Sequence, residues 1–114
     1  MKGRIGDRER LGHILDAIAE VESYIVGFDF ELFQQDSKTH YATIKQLEII
    51  GEAANNISET TKEIDLSIEW RKIIGLRHIL VHEYFGIQVE VVWQIVMNDM
   101  PMMKRKTLAI YENL

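Results

Sequence analysis

Hydrophobic residues recur every three to four positions along most of the chain, which is the spacing of one face of an α-helix. This pattern predicts a first helix over residues 8–26, with an apolar stripe about 120° wide, and Gly27 is expected to stop it. An aromatic segment follows, in which Asp29 is expected to cap a single helical turn that closes over the core. The stripe consists of Leu11, Ile14, Leu15, Ile18, Val21 and Ile25, and the aromatic segment contains Phe28, Phe30, Leu32 and Phe33.

A second helix is predicted from a cap at Asp36 or Ser37 to about Ser58. Its apolar residues cover more than half of the circumference, which is broader than the stripe that faces a single core. We therefore expect part of this helix to meet another subunit. The apolar residues are Ile44, Leu47, Ile49, Ile50, Ala53, Ala54 and Ile57.

The stretch from Trp70 to Ile87 is predicted to be a helix that ends near Tyr84 to Gly86, after a polar turn over residues 59–65 and a cap at Asp65 or Ser67. On a helical projection at about 100° per residue, Arg77 lies at the centre of an apolar stripe. A guanidinium is costly to bury alone, so Arg77 needs an internal carboxylate or an external anion. Glu48 and Glu52 on the second helix are the candidate internal partners. The stripe contains Trp70, Ile73, Ile74, Leu80, Val81 and Tyr84.

Residues 89–97 form a further apolar stretch without strand alternation, so a fourth helix is predicted there. Pro101 suits the first turn of a last helix or a kink. The pattern as a whole predicts an all-α protein, an antiparallel bundle of four to five helices in one domain over residues 1–114.

Composition narrows the class of protein. The chain of 114 residues has no cysteine, no apolar run of membrane-spanning length and no signal peptide, so we expect a cytoplasmic protein. A net charge of −5 argues against a general coat for nucleic acid but leaves a local basic cleft open. The basic cluster Lys104, Arg105 and Lys106 is interpreted as a solvated face, with RNA contact as the alternative.

Candidate chemistry gathers around Arg77. Arg77 carries a permanent positive charge, and an imidazole can give or take a proton near neutral pH, so this stretch offers an electrostatic group and proton-transfer groups together. His82 suits the acid or base role and Arg77 the electrostatic one. The two project about 140° apart from one helix, and two copies that face each other across a symmetric interface would bring both kinds of group into one cleft.

The spacing Arg77, four residues, His82, one residue, Tyr84 resembles the R-x4-H-x-Y motif of HepT, a branch of the HEPN superfamily of small all-helical ribonuclease toxins. Residues 73–86 around the motif and residues 47–55 of the second helix resemble that family as well, with His78 at the position where the family usually has a polar residue.

This resemblance implies a homodimer with a shared active site and catalytic Arg77 and His82. It also implies a nucleotidyltransferase antitoxin of the MntA type, which transfers AMP from ATP to the motif tyrosine, here Tyr84. No metal or cofactor is implied.

Other interpretations remain open. His78 is either a supporting or a structural residue, and a pair between Arg77 and Glu48 or Glu52 would in one reading only join two helices. His78 and His82 with Glu83 have the spacing of metal ligands but no recognisable further ligand. The competing function is a non-catalytic helical module for dimerisation and binding, in which Arg77 and His82 are structural.

Overall fold

A computed structural model of the protein describes residues 2–78 and 88–114, and every regular element in these two ranges is helical. This confirms the predicted all-α class. The elements are α1 (Lys2–Tyr24), α2 (Phe30–Gln35), α3 (Ser37–Asn55), α4 (Glu59–Lys62), α5 (Trp70–Gly75) with a 3₁₀ turn (Leu76–His78), α6 (Val89–Gln94) with a π turn (Ile95–Asp99), and α7 (Met100–Asn113). None of the helices in the described ranges is both long and apolar enough to span a membrane.

The two long helices α1 and α3 pack against each other and form the centre of the protein. On either side, α5 and its 3₁₀ turn pack on α3, whereas α7 packs on α1. The α2 helix packs against α6 through Phe33, whose ring centroid lies 4.9 Å from that of Trp93. Fully buried apolar side chains of α1, α2 and α3 include Leu11, Ile14, Ile18, Val21, Phe33, Ile44, Leu47 and Ile50.

Three of the predicted helix boundaries depend on particular residues. Asp29 caps α2 by accepting a hydrogen bond from the backbone N–H of Leu32 at 2.9 Å, as predicted. Asp36, one of the two candidates for α3, accepts from the N–H of Thr39 at 3.2 Å. Gly27 has a φ of +78°, which a glycine adopts without strain, and it reverses the chain after α1. The first helix itself begins at Lys2, earlier than the predicted residue 8.

The polar stretch after α3 differs from the predicted turn. Ser58 accepts a hydrogen bond from the N–H of Thr61 and starts the short helix α4. Neither Asp65 nor Ser67 caps α5, because the Asp65 carboxylate instead accepts the backbone N–H of Ser67 at 2.9 Å and its hydroxyl at 2.5 Å. These two bonds hold the pKa of Asp65 below its ordinary value. The residue before α5 is Glu69, which makes no capping hydrogen bond through its side chain.

The broad apolar surface of α3 is mostly used within the subunit. Of its seven apolar residues named above, Ile49 is 36% exposed and the other six are buried. The physical reason is that α3 packs against α1, α2 and α5, so neighbours enclose most of its circumference. The width of this surface therefore does not by itself require a second subunit.

The C-terminal helices form one continuous rod in which the π turn joins α6 to α7. Within it, the N–H of Met100 donates to the carbonyl of Ile95, five residues back. Pro101 lies in the first turn of α7, as predicted. Proline has no N–H to donate and its ring clashes with the carbonyl four residues back in a regular helix, so a wider turn suits this position.

Candidate active site

The motif segment is held against α3 at Gly51. A Cβ atom at this position would lie 3.0 Å from the carbonyl oxygens of Ile73 and Ile74 and would collide with the backbone nitrogen of Arg77. Only a glycine lets the backbones come this close. This close approach fixes the backbone of Arg77 over α3.

Arg77 itself lies in the 3₁₀ turn that follows α5. Its neighbour Leu76 is buried, His78 is exposed, and the Arg77 side chain is 30% exposed. Three residues per turn, in place of 3.6, change the direction of each successive side chain. The guanidinium therefore reaches the surface beside α3 and is not enclosed among apolar side chains.

The carboxylate that faces Arg77 belongs to Glu52. One of its oxygens lies 3.9 Å from Nη1 of Arg77, and the Glu52 side chain is 64% exposed. Of the two candidate partners, the structure thus selects Glu52, and half-buried Glu48 precedes it by one helical turn. An ion pair this long and this exposed contributes at most about 1 kcal/mol. It orients Arg77 without tying up its charge, so a phosphate can compete for the guanidinium.

His78 holds the other side of the guanidinium. Its Nε2 lies 3.1 Å from Nε of Arg77. Because a guanidinium nitrogen can only donate, Nε2 of His78 accepts this hydrogen bond. A carboxylate and an imidazole thus position the same cation. The role of His78, supporting or structural, stays a prediction.

His82, Glu83 and Tyr84 lie outside the described residues. The catalytic role of His82, the modification of Tyr84 and a metal site made with Glu83 therefore stay predictions. Within residues 2–78 and 88–114, no group of three or more histidine or carboxylate side chains is arranged to hold a metal ion.

The basic cluster near the C-terminus makes contacts inside the protein. Lys104 Nζ lies 3.1 Å from the carboxylate of Glu22, and Lys106 Nζ lies 2.8 Å from Oγ of Ser67. These lysines join α7 to α1 and to the loop before α5. Lys104 and Arg105 are exposed and Lys106 is half-buried, and the interpretation of the cluster as a solvated face stays a prediction.

One buried carboxylate was not anticipated from the sequence. Asp7 is fully buried and accepts hydrogen bonds from the N–H of Ser58 at 3.0 Å and from the hydroxyls of Ser58 and Thr61, each at 2.5 Å. Burial alone would raise the pKa of Asp7, but these hydrogen bonds together with the positive charge of Arg10 outweigh it and lower the pKa. The sequence holds one signal, since Asp7 precedes Leu11 by four residues and so continues the apolar stripe of α1.

Comparison with known proteins gives a consistent set of matches. A family model described as ribonuclease HepT-like matches residues 14–110. A protein of Thermococcus cleftensis named probable ribonuclease HepT is 40% identical over 99 residues, which cover 87% of this chain and 90% of that protein. A candidate RNase of Methanocaldococcus jannaschii is 37% identical over 93 residues, covering 82% of this chain and 85% of its own length.

A further candidate RNase, from Caldanaerobacter subterraneus subsp. tengcongensis, is 31% identical over 105 residues, which cover 92% of this chain and 94% of that protein. No solved structure matches the chain significantly. The matched region of the family model includes the Gly51 contact, Glu52 and the whole motif from Arg77 to Tyr84.

Proposed function

Because this chain belongs to the ribonuclease HepT-like family, we propose that it is an endoribonuclease and the toxin of a cytoplasmic toxin–antitoxin system. Membership confirms the resemblance that the motif of Arg77, His82 and Tyr84 indicated. The ribonuclease class follows from the family. The metal-independent mechanism, the shared active site and the control by an antitoxin are the finer parts of the proposal.

The observation that supports the mechanism is the position of the Arg77 guanidinium and its contacts. Its guanidinium is held at the surface by His78 at 3.1 Å and faces Glu52 at 3.9 Å. A cation that keeps its charge, is oriented from two sides and is only weakly paired suits the binding of a phosphate. Arg77 is proposed to stabilise the charge that develops on the phosphate oxygens during cleavage.

The proton transfers are assigned to His82. As the base, its imidazole takes the proton of the ribose 2′-hydroxyl while the 2′-oxygen forms a bond to phosphorus and the bond to the 5′-oxygen breaks. The leaving 5′-oxygen takes a proton from an imidazolium. The products are a 2′,3′-cyclic phosphate and a free 5′-hydroxyl. An imidazole titrates near neutrality and serves in either role.

A symmetric dimer supplies both protonation states at once. If the motif segments of two copies face one cleft, His82 of one copy acts as the base and His82 of the other as the acid, and two Arg77 guanidinium groups flank the phosphate. Apolar side chains remain exposed on the helices next to the motif. Tyr41 and Ile49 of α3 are 52% and 36% exposed, and Val91 of α6 is 49% exposed.

The test replaces the histidine and the arginine separately. His82→Ala is expected to lower the rate of RNA cleavage by about 10²- to 10⁴-fold, the contribution of a general acid or base. Arg77→Ala should also abolish cleavage, and EDTA should leave wild-type cleavage unchanged. The ends of the fragments, identified by mass spectrometry, should carry a 2′,3′-cyclic phosphate or its opened form.

His13→Ala is the matched control, because His13 is an exposed histidine on α1, away from the motif. It should cleave as the wild type does. If the purified, unmodified protein cut no cellular RNA, or if His82→Ala cut RNA as fast as His13→Ala, the catalytic assignment would be wrong.

Control by an antitoxin is proposed to act on Tyr84. In the modification, the phenolic oxygen attacks the α-phosphorus of ATP, pyrophosphate leaves and the phenol loses its proton. The added anion would stand two residues from His82 and repel an RNA phosphate. Incubation with a cognate nucleotidyltransferase, ATP and Mg²⁺ should add one or more AMP units and stop cleavage.

Intact mass spectrometry of two tyrosine variants tests this part of the proposal. Tyr84→Phe should gain no AMP, whereas Tyr41→Phe, which alters a tyrosine that is 52% exposed on α3, should be modified as the wild type is. An unchanged wild-type mass after incubation with a nucleotidyltransferase of demonstrated activity would argue against AMP transfer as the means of control.

One observation favours the non-catalytic alternative. Arg77 already has a carboxylate partner within its own subunit, as a structural arginine would. The two functions differ in what Arg77→Ala does. A binding module would lose stability or assembly, whereas the ribonuclease would lose turnover and keep its fold, because an exposed ion pair contributes little to stability.

A further inference from the structure

A groove separates α5 from the C-terminal helical rod on the side of the protein where these two elements do not pack closely. Its volume is about 450 Å³. One wall comes from Ile68, Ile73 and Leu76, and the other from Ile95, Met102 and Met103. The groove exists because α5 packs on α3 whereas α7 packs on α1.

The π turn contributes polar residues to this groove. Asn98 and Asp99 of the turn both line the groove together with Ile95. On the rim, Glu69 and Lys72 belong to the α5 wall and pair with each other at 3.7 Å, whereas Asp99 and Lys106 belong to the other wall. The rim thus carries two carboxylates and two ammonium groups. A rim of both signs is complementary to a second copy of itself.

A fixed apolar side chain stands next to the groove. Leu66 is 83% exposed and directly precedes the groove residues Ser67, Ile68 and Glu69. It lies in a turn that the N–H of Ile68 closes by donating to the carbonyl of Asp65 at 3.3 Å. The Asp65 carboxylate and Lys106 also bind Ser67. Leu66 is therefore presented on a rigid turn, and little conformational entropy is lost when it is buried.

We propose that this face joins two copies of the chain, with Leu66 of each copy inserted into the groove of the other. Leu66 and the groove lie side by side on one surface, so a two-fold axis lets each copy insert its Leu66 into the groove of the other. An apolar cavity of roughly 150 Å³ accepts a group the size of benzene, so the groove has room for Leu66 and for Ile64, which is itself 57% exposed. This contact goes beyond the proposed function, and the residues that line the groove do not include Arg77, His78 or Glu52.

Sedimentation velocity over a range of protein concentrations tests the contact. Leu66→Asp should raise the dissociation constant of one association step by at least about tenfold, because a buried leucine is lost at both ends of the contact. Met102→Lys, which places a charge at the groove, should have the same effect. The double variant Leu66→Asp/Met102→Lys pairs opposite charges across the interface and should recover part of the association.

Val26→Asp is the matched control, since Val26 is 77% exposed and stands on the turn after α1. It should associate as the wild type does. The four variants change only three positions, Leu66, Met102 and Val26, whose side chains are exposed, and circular dichroism checks that each variant is folded. An unchanged dissociation constant for Leu66→Asp, or equal losses for Leu66→Asp and Val26→Asp, would overturn the proposal.

A second measurement uses the absence of cysteine from the chain. Leu66→Cys protein carrying an affinity tag, mixed with untagged Met102→Cys protein and oxidised, should form a covalent pair of mixed mass. A mixture of tagged Val26→Cys and untagged Met102→Cys proteins should form little of it. Equal yields in the two mixtures would contradict the contact.

The association test and the RNA-cleavage test can fail independently of each other. Leu66→Asp leaves the motif intact, so its cleavage of RNA should match that of the wild type. Loss of association with retained cleavage supports both proposals. Absence of cleavage in the wild type would refute the ribonuclease mechanism and leave the association result standing.

Discussion

Arg77 keeps its charge at every accessible pH, so its surroundings control only the direction in which the guanidinium points. The structure sets that direction through two contacts of different kinds. Nε donates to His78, and Nη1 faces Glu52. A lysine has neither the Nε position nor the planar fork, and its single ammonium group cannot reach both partners in the same way.

Arg77→Lys is therefore expected to keep the charge and lose the activity. Cleavage should fall on the order of 10²-fold, as when a single fixed donor to a developing oxyanion is removed, while the free energy of unfolding changes by less than about 1 kcal/mol. Cleavage assays and chemical denaturation measure the two effects. Arg71→Lys, an exposed arginine on α5, is the control and should alter neither. Full activity in Arg77→Lys would mean that charge alone suffices.

At the residue scale, the sequence predicted that Arg77 needs an anionic partner but could not say which of two glutamates it is. Glu48 and Glu52 lie four residues apart on the same face of α3, so a helical projection cannot separate them. The choice depends on where α5 crosses α3, and Gly51 determines that crossing. The sequence did not predict the exposure of Arg77 either, because the helical projection assumed an α-helix where the chain makes a 3₁₀ turn.

At the scale of elements, the contact of α3 with α5 depends on one missing methyl group. A Cβ at Gly51 would meet backbone atoms of Ile73, Ile74 and Arg77, none of which can move as a flexible side chain does. The gain in helix propensity from glycine to alanine, about 1 kcal/mol, works against this clash and is smaller than the cost of separating two packed helices.

Gly51→Ala is expected to destabilise the protein by about 1–3 kcal/mol, the usual cost of overpacking, and to lower RNA cleavage because the turn that carries Arg77 is displaced. Gly12→Ala on α1 is the matched control. A Cβ at Gly12 would lie 3.5 Å from the ring of Tyr111, an ordinary contact, so this variant should be as stable as the wild type or more stable. Thermal denaturation compares the two, and equal melting temperatures would show that the crossing can adjust.

The start of a helix could be predicted from the sequence where a side chain next to the first turn caps it. Asp29 and Asp36 each bind an N–H three residues ahead, a pattern that the sequence displays directly. Residues 59–62 were predicted as a turn because their composition is polar, yet Ser58 caps a short helix there. What stabilises that helix is Asp7, which lies about fifty residues earlier in the chain and which no local rule connects to it.

At the scale of the whole molecule, Asp7 makes folding depend on pH. Its pKa is lower in the folded protein than its ordinary value of 3.8, so the unfolded chain binds more protons in this region of pH. The stabilisation is complete above that ordinary value and is lost as the pH falls through the lower pKa of the folded state. Acid therefore weakens the attachment of α1 to the start of α4.

Asp7→Asn is expected to remove this part of the acid dependence. The variant should be less stable at neutral pH by about 1.5–3 kcal/mol, the value of hydrogen bonds to a charged group, and the difference from the wild type should shrink as the pH falls below 3.8. Urea denaturation at a series of pH values measures both. Asp16→Asn, at an exposed position of α1, is the control, and its free energy of unfolding should change with pH as that of the wild type does. A difference for Asp7→Asn that stays constant with pH would contradict the assignment.

The π turn has a consequence for the phase of the hydrophobic pattern. Buried positions along the rod are Val92, Val96, Met100, Met103, Thr107 and Ile110, so the steps around the turn are four and four, longer than 3.6 on average. The turn amounts to one inserted residue. A relative that lacks one residue between positions 95 and 99 is therefore expected to have a regular helix there, without a proline at the position of Pro101, and with the same face of the helix buried before and after the gap.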